Sequence, residues 1–190
     1  DRQMDLYLSL FAFAMVASIT PGPNNFMMLA SGANWGFWPT VPHMLGITVG
    51  FSLMVVAVGL GLGPLFDRFP ALHQGLKIVA FLYLLYLAWR IATAGRHDPE
   101  KGSGRPLSFL AAAAFQWVNP KAWAIALGSV PLFTTTDGDH VFEIGRLAVI
   151  FAVVTLPSVA TWCLFGGAIS GLLQDEARLR WFNIGMAVLL

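Results

Sequence analysis

No α-helix can run unbroken through Thr20-Pro21-Gly22-Pro23-Asn24-Asn25, yet the apolar sequence on either side suits little else. Pro21 has no N–H for the carbonyl of Ala17, and Pro23 has none for Ile19. The flanking run, roughly 6–31, is long enough to cross a bilayer, which takes about 20 residues. Composition says that lipid is the solvent: 57% of the residues are hydrophobic and 11% charged, against about 25% charged in soluble domains. At membrane depth, exposed backbone polar groups survive only where protein or a wet cavity covers them. The break is therefore expected to line a site rather than face lipid. A passive proline kink is the plainer reading, but two prolines, a glycine and two asparagines exceed what a kink needs.

Apolar stretches fall at roughly 6–31, 39–66, 72–94, 107–133, 144–173 and 181–190, and the first five are each long enough to span. The last is shorter, so its helix is expected to continue past this sequence. No cleavable leader is expected, since Arg2 is outweighed by Asp1 and Asp5 and the following run is too long. The fold class predicted is an all-α integral membrane protein of six transmembrane helices. It forms a single membrane domain over 1–190, with repeat one at about 5–95 and repeat two at about 106–190. Both repeats open alike, LSLFAFAMVASITPGPNN and LSFLAAAAFQWVNPKA, with Thr20-Pro21 and Asn119-Pro120 at matching depths. Three spans per repeat is odd, so the second repeat enters from the opposite side, as in inverted-repeat transporters. The first and fourth helices are both expected to be broken.

Asn119-Pro120 is a good cap and first position for a half-helix. Lys121 follows, midway along its span, the one Lys, Arg, Asp or Glu placed so deep. A charge there costs at least about 2.5–3.5 kcal/mol and usually faces a pathway; snorkelling is disfavoured by its distance from either end. Two half-helix N-termini and the Lys121 ammonium would attract a carboxylate. Carbonyls freed near Ala17, Ile19 and Gln116 would accept from an ammonium group. The residues expected to bind substrate are thus Thr20, Pro21, Gly22, Pro23, Asn24, Asn25, Asn119, Pro120 and Lys121, and the solute with both poles is an amino acid.

Weaker candidates for a pocket or gate are His43, Gly46, Gly50, Trp117 and Pro157. Gly46-x-x-x-Gly50 and Gly167-x-x-x-Gly171 suit close helix packing. Pro157 could kink or hinge the fifth span. Trp35, Trp38, Trp89 and Trp181 suit an aromatic belt, whereas Trp117, Trp123 and Trp162 are deeper. Cys163 is the sole cysteine, so no intrachain disulfide forms. His43, His73, His97 and His140 are scattered, and no nucleophile–base set is apparent, so no catalytic residue, metal ligand or cofactor is expected. A net charge of +1 offers nothing to nucleic acid. The partners expected are the lipid bilayer and a small-molecule substrate; a homo-oligomer stays open.

Arg90, Arg96, Lys101, Arg105, Arg178 and Arg180 share one side, and Arg2, Arg68, Lys77 and Arg146 the other. The bias favours the Gly95–Pro106 loop inside the cell. TPGPNN at Thr20–Asn25, LGITVG at Leu45–Gly50, YLAWRIATA at Tyr86–Ala94 and FQWVNPKA at Phe115–Ala122 together resemble the LysE/RhtB family of amino-acid exporters, over essentially the whole chain. TPGPNN, LAWRIAT and FQWVN look most like its cysteine/O-acetylserine exporter branch. The resemblance implies six helices, a multi-pass protein of the bacterial inner membrane, and efflux of amino acids or close derivatives; small neutral ones are expected, since the region around Lys121 holds no acidic partner for a cationic side chain. It also implies that residues 20–25 and 119–121 matter. Two departures stand out: Ala152–Thr161 lacks the acidic residue many members carry, and Ala33–Trp38 lacks the usual basic one. Export of another solute such as a metal ion, or a non-transporting structural role, are the competing readings.

Overall fold

The computed structural model describes residues 2–94, 104–135 and 138–190, and all its regular structure there is helical. The Gly95–Pro106 loop, with His97, falls largely outside the described residues. In chain order the helices are α1 (Arg2–Ile19), α2 (Pro23–Trp35), α3 (Phe37–Ala57), α4 (Gly63–Arg68), α5 (Pro70–Ala92), α6 (Phe109–Phe115), α7 (Pro120–Phe133), α8 (His140–Ile169) and α9 (Glu176–Leu189). A π-helical turn at Val58–Leu62 joins α3 to α4, and a tighter turn at Gln116–Val118 follows α6.

Both proline motifs break their helices. α1 and α2 meet at 56° and together make one bent apolar span. Phe37–Arg68, Pro70–Ala92 and His140–Leu173 are each long and apolar enough to cross. That is fewer straight spans than the apolar runs suggest. The fourth run is cut at Asn119 into Phe109–Val118 and the 14-residue α7, about 21 Å long at 1.5 Å per residue. Neither piece crosses alone.

The outer surface is apolar. α5 exposes Ile78, Val79, Phe81, Leu82, Leu85 and Trp89, and α8 exposes Val149, Val153, Leu164 and Phe165. A continuous surface of this kind suits lipid, not water. Inside, one cluster joins Leu10, Ala14, Phe51, Met54, Ala122, Leu147 and Phe151. A second joins Met27, Met28, Met44, Ile47, Ala112, Phe115, Val159 and Cys163. α3 and α8 run through both, and the two breaks lie between them.

Helices cross where glycine removes a side chain. A Cβ on Gly46 would sit 2.3 Å from the carbonyl oxygen of Phe109, and one on Gly50 2.5 Å from Cα of Ala113, so α3 lies backbone to backbone on α6. The expectation for Gly167 and Gly171 is corrected. Gly171 has open space and Gly167 meets only Gly32 O at 3.8 Å, whereas Gly166 would clash with Leu29 O at 2.1 Å and Gly32 with Cys163 O at 2.0 Å. The α2–α8 crossing is therefore made by Gly32 and Gly166, one residue out of the expected register. Gly166→Ala should destabilise the protein by about 1–3 kcal/mol, the usual cost of overpacking, while Gly171→Ala should leave it unchanged. Thermal unfolding in detergent measures both, and equal midpoints for the two variants would refute the assigned crossing.

Candidate functional site at the paired helix breaks

Every carbonyl through the first break has a donor. Val16 O keeps its helical bond from Thr20 N at 3.1 Å. The Thr20 hydroxyl donates to Ala17 O at 3.1 Å, and Asn25 Nδ2 to Ser18 O at 3.0 Å. Trp162 Nε1, from α8, donates to Ile19 O at 3.0 Å. Thr20 O accepts from Asn25 Nδ2 and from Lys121 Nζ. Pro21 O accepts from Lys121 Nζ at 3.4 Å, and Gly22 O resumes the ladder with Phe26 N at 3.0 Å. Buried backbone groups must be paired, and side chains supply here what the prolines cannot.

This corrects the sequence reading in one respect. The carbonyls of Ala17 and Ile19 are not open acceptors but already hold Thr20 and Trp162. Gln116 O likewise accepts from Asn119 N at 3.2 Å. The break is also not wholly enclosed: Thr20 and Pro21 are exposed, whereas Gly22 and Asn25 are buried.

The second break supplies the cation. The Asn119 side chain, buried, accepts from Lys121 N at 3.1 Å and starts α7. That cap aims Lys121 at the carbonyl end of α1, where Nζ also donates to Thr20 Oγ1 at 3.0 Å. With Thr20 O and Pro21 O, three acceptors meet an ammonium that has three protons. A cation at the C-terminal end of a half-helix also suits the helix dipole. Gly22 makes the room: a Cβ there would lie 2.5 Å from Lys121 Cδ. The breaks are tied a second time by a reciprocal amide pair, Asn24 Nδ2 to Gln116 Oε1 at 2.8 Å and Gln116 Nε2 to Asn24 Oδ1 at 3.1 Å.

A cavity of about 40 Å³ opens between the breaks, lined by Ser18, Gly22, Asn24, Asn25, Asn119 and Lys121, with Phe51 and Thr155 behind. It has room for a few waters but not for an amino acid. Asn24 and Asn25 stand in the first turn of α2, whose N-cap Gly22 offers no side-chain acceptor. Their N–H groups are the kind that bind anions.

The structure thus brings Thr20, Pro21, Gly22, Asn24, Asn25, Asn119 and Lys121 together, with Pro23 and Pro120 opening the two half-helices behind them. His43, Gly46, Gly50, Trp117 and Pro157 are not in the cavity lining. Gly46 and Gly50 pack against α6. Trp117 stacks edge-on against Trp123 with centroids 5.8 Å apart. Pro157 lies exposed within a continuous α8, and His43 lines another cavity. Trp35 and Trp89 both line that cavity, and Trp38, Trp89 and Trp181 are exposed. Sequence reading missed Ser18 and Thr155, whose hydroxyls meet at 3.3 Å, and the side chain of Gln116. A polar residue within an apolar run was the available signal for all three.

The LysE type translocator family matches residues 15–190. Proteins called cysteine/O-acetylserine efflux protein are similar along the length: one from Escherichia coli O157:H7 is 28% identical over 97% of this chain and 93% of its own. Those from E. coli K12 and Shigella flexneri serotype 5b are 27% identical over the same shares. No solved structure matches.

Proposed function

This chain belongs to the LysE type translocator family, a transporter and not an enzyme, and from that premise we propose that it exports small neutral amino acids or derivatives. Cysteine, O-acetylserine and homoserine- or threonine-like solutes fit, carried from the cytoplasm across the bacterial inner membrane. The observation that carries this reading is Lys121 held at two facing helix breaks, in a cavity with no Asp or Glu among the described residues that line it. Such a lining suits a carboxylate and gives a cationic side chain no partner. The names of the relatives agree, and their coverage of nearly the whole chain supports carrying the class of solute across.

The mechanism follows from what Lys121 must give up. In this structure its ammonium is occupied by Thr20 and Pro21. A substrate carboxylate reaching the cavity competes for that ammonium, aided by the free N–H groups at the start of α2. Lys121 then leaves the end of α1, and the clamp between the two breaks is reduced to the Asn24–Gln116 pair. Occupancy would thereby loosen the joint about which the broken helices move, the differential contact that a ligand-driven change requires. Six helices in two inverted repeats are the proposed frame. Breaks at matching depths facing each other support it, with the Arg90 and Arg105 end in the cytoplasm.

Flux from proteoliposomes loaded with labelled amino acids tests the function. Counterflow of cysteine, O-acetylserine or homoserine well above that of empty vesicles is expected. Transport confined to lysine and arginine, or to a metal ion, would refute the proposal.

A further inference from the structure

We propose that a second cavity, at the Arg90–Arg105 end, is a vestibule that binds the amino acid before it reaches the breaks. The identity of the ligand rests on the exporter reading; the site itself does not. The cavity measures about 400 Å³ and is lined by Ser31, Trp35, His43, Arg90 and Arg105 among apolar Met27, Leu87 and Leu107. That volume lies within the usual range for small-molecule sites.

Two unpartnered groups point to a ligand. His43 is 1% exposed, and neither ring nitrogen has a hydrogen-bond partner. Trp35 Nε1 is likewise buried without one. Buried polar groups are nearly always paired, and each exception calls for an explanation. Here two exceptions line one cavity. The neutral imidazole has one donor and one acceptor to offer, and the indole one donor.

The same wall carries cations. Arg90 Nη2 donates to Arg105 O at 3.3 Å, a bond that uses one of the five guanidinium N–H groups. Among the described residues lining the cavity, none is acidic. Guanidinium groups bind a carboxylate in a fork, and the Trp35 N–H adds a further donor. The free acceptor of His43 suits the ammonium of the same solute. Both poles of a zwitterion are therefore served, and the apolar wall accepts a small side chain.

Position gives the site its role. α2 walls both cavities, with Asn24 and Asn25 in one and Ser31 in the other. Seven residues of helix separate Asn24 from Ser31, about 10 Å at 1.5 Å per residue. The vestibule is ten times the volume of the cavity at the breaks, so in this structure it is the place with room for substrate. It also lies on the basic side, assigned above to the cytoplasm, from which an exporter draws.

Calorimetric titration of O-acetyl-L-serine into purified protein in nanodiscs tests the proposal. Lys121→Ala, which disables the break site, should still bind one equivalent. Adding Arg90→Gln and Arg105→Gln should weaken that binding at least about tenfold, the loss of charge-assisted hydrogen bonds. Trp35→Phe, which removes one N–H and keeps the ring, should weaken it about threefold or more by loss of one neutral bond. The proposal is overturned if Lys121→Ala binds nothing, or if the arginine and Trp35 variants bind as tightly as Lys121→Ala alone. Flux separates the two readings. Transport by the wild type with unchanged binding in the arginine variant sinks only the vestibule. Binding lost in that variant, with no amino-acid flux in the wild type, sinks only the exporter.

Discussion

Lys121→Ala is expected to lower amino-acid flux by one to two orders of magnitude while the protein still folds and inserts. A charge-assisted hydrogen bond is worth about 1.5–3 kcal/mol, which is roughly ten- to a hundred-fold in affinity. On the proposed mechanism the carboxylate loses its cationic partner at the breaks, and the joint loses the group whose release would couple binding to movement. Stability should change little, because two effects oppose. Removing a charge at mid-depth relieves a cost of about 2.5–3.5 kcal/mol or more. Against that, Thr20 and Pro21 lose a donor, though Thr20 O keeps Asn25. Gly22→Ala makes the companion experiment. Its Cβ would push on the flexible Lys121 side chain, 2.5 Å away at Cδ, so the charge stays but the ammonium moves. Flux should fall by less than in Lys121→Ala. Flux in proteoliposomes, with unfolding midpoints alongside, separates lost chemistry from lost fold. Wild-type flux from Lys121→Ala would remove the carboxylate role from that residue.

Pro21→Ala combined with Pro23→Ala should also nearly abolish transport, for a different reason. It returns two N–H groups to a helix that has been rebuilt without them. A straight helix would give Ala17 O and Ile19 O their ladder bonds, displacing the Thr20 hydroxyl and Trp162 Nε1. It would also carry Thr20 O and Pro21 O away from Lys121. From local chemistry alone the substitution should raise stability, since an interior proline costs about 3 kcal/mol. The structure reduces that gain, because side chains already satisfy the carbonyls of Ala17 to Pro21 and several would lose their acceptors. The expected result is a folded protein with an unfolding midpoint near wild type and little flux. Normal flux would mean that the break is only a bend and that the site lies elsewhere among the helices.

Both experiments concern residues visible in the sequence, and the reason is that their chemistry is covalent and local. A proline lacks its N–H in any fold, so the breaks at Pro21, Pro23 and Pro120 follow from the chain itself. A lysine in the middle of an apolar run must find polar company, so Lys121 announces a site without saying what holds it. The asparagine before Pro120 caps the half-helix as its position implies.

Which faces meet was not legible, because lipid reverses the usual signal. In a soluble protein the apolar stripe of a helix marks its buried side. Here α5 and α8 are apolar on their outer faces as well, and nothing in their residue pattern separates lipid from core. The register of the glycine crossing, Gly166 in place of Gly167, depends on that choice of face, as does the burial of Trp35 Nε1 in a cavity wall.

The sequence by itself determined that the chain lies in a membrane, where its helices break, and that a cation stands at one break. Tertiary structure alone decided that Lys121 closes the far break, that Trp162 and Gln116 complete the pair, and that His43 and Trp35 share a second cavity. The hydrogen bonds at the breaks join residues 92 to 143 positions apart. Their partners are selected by packing and by the need to pair every buried polar group, conditions that exist only once the helices have come together.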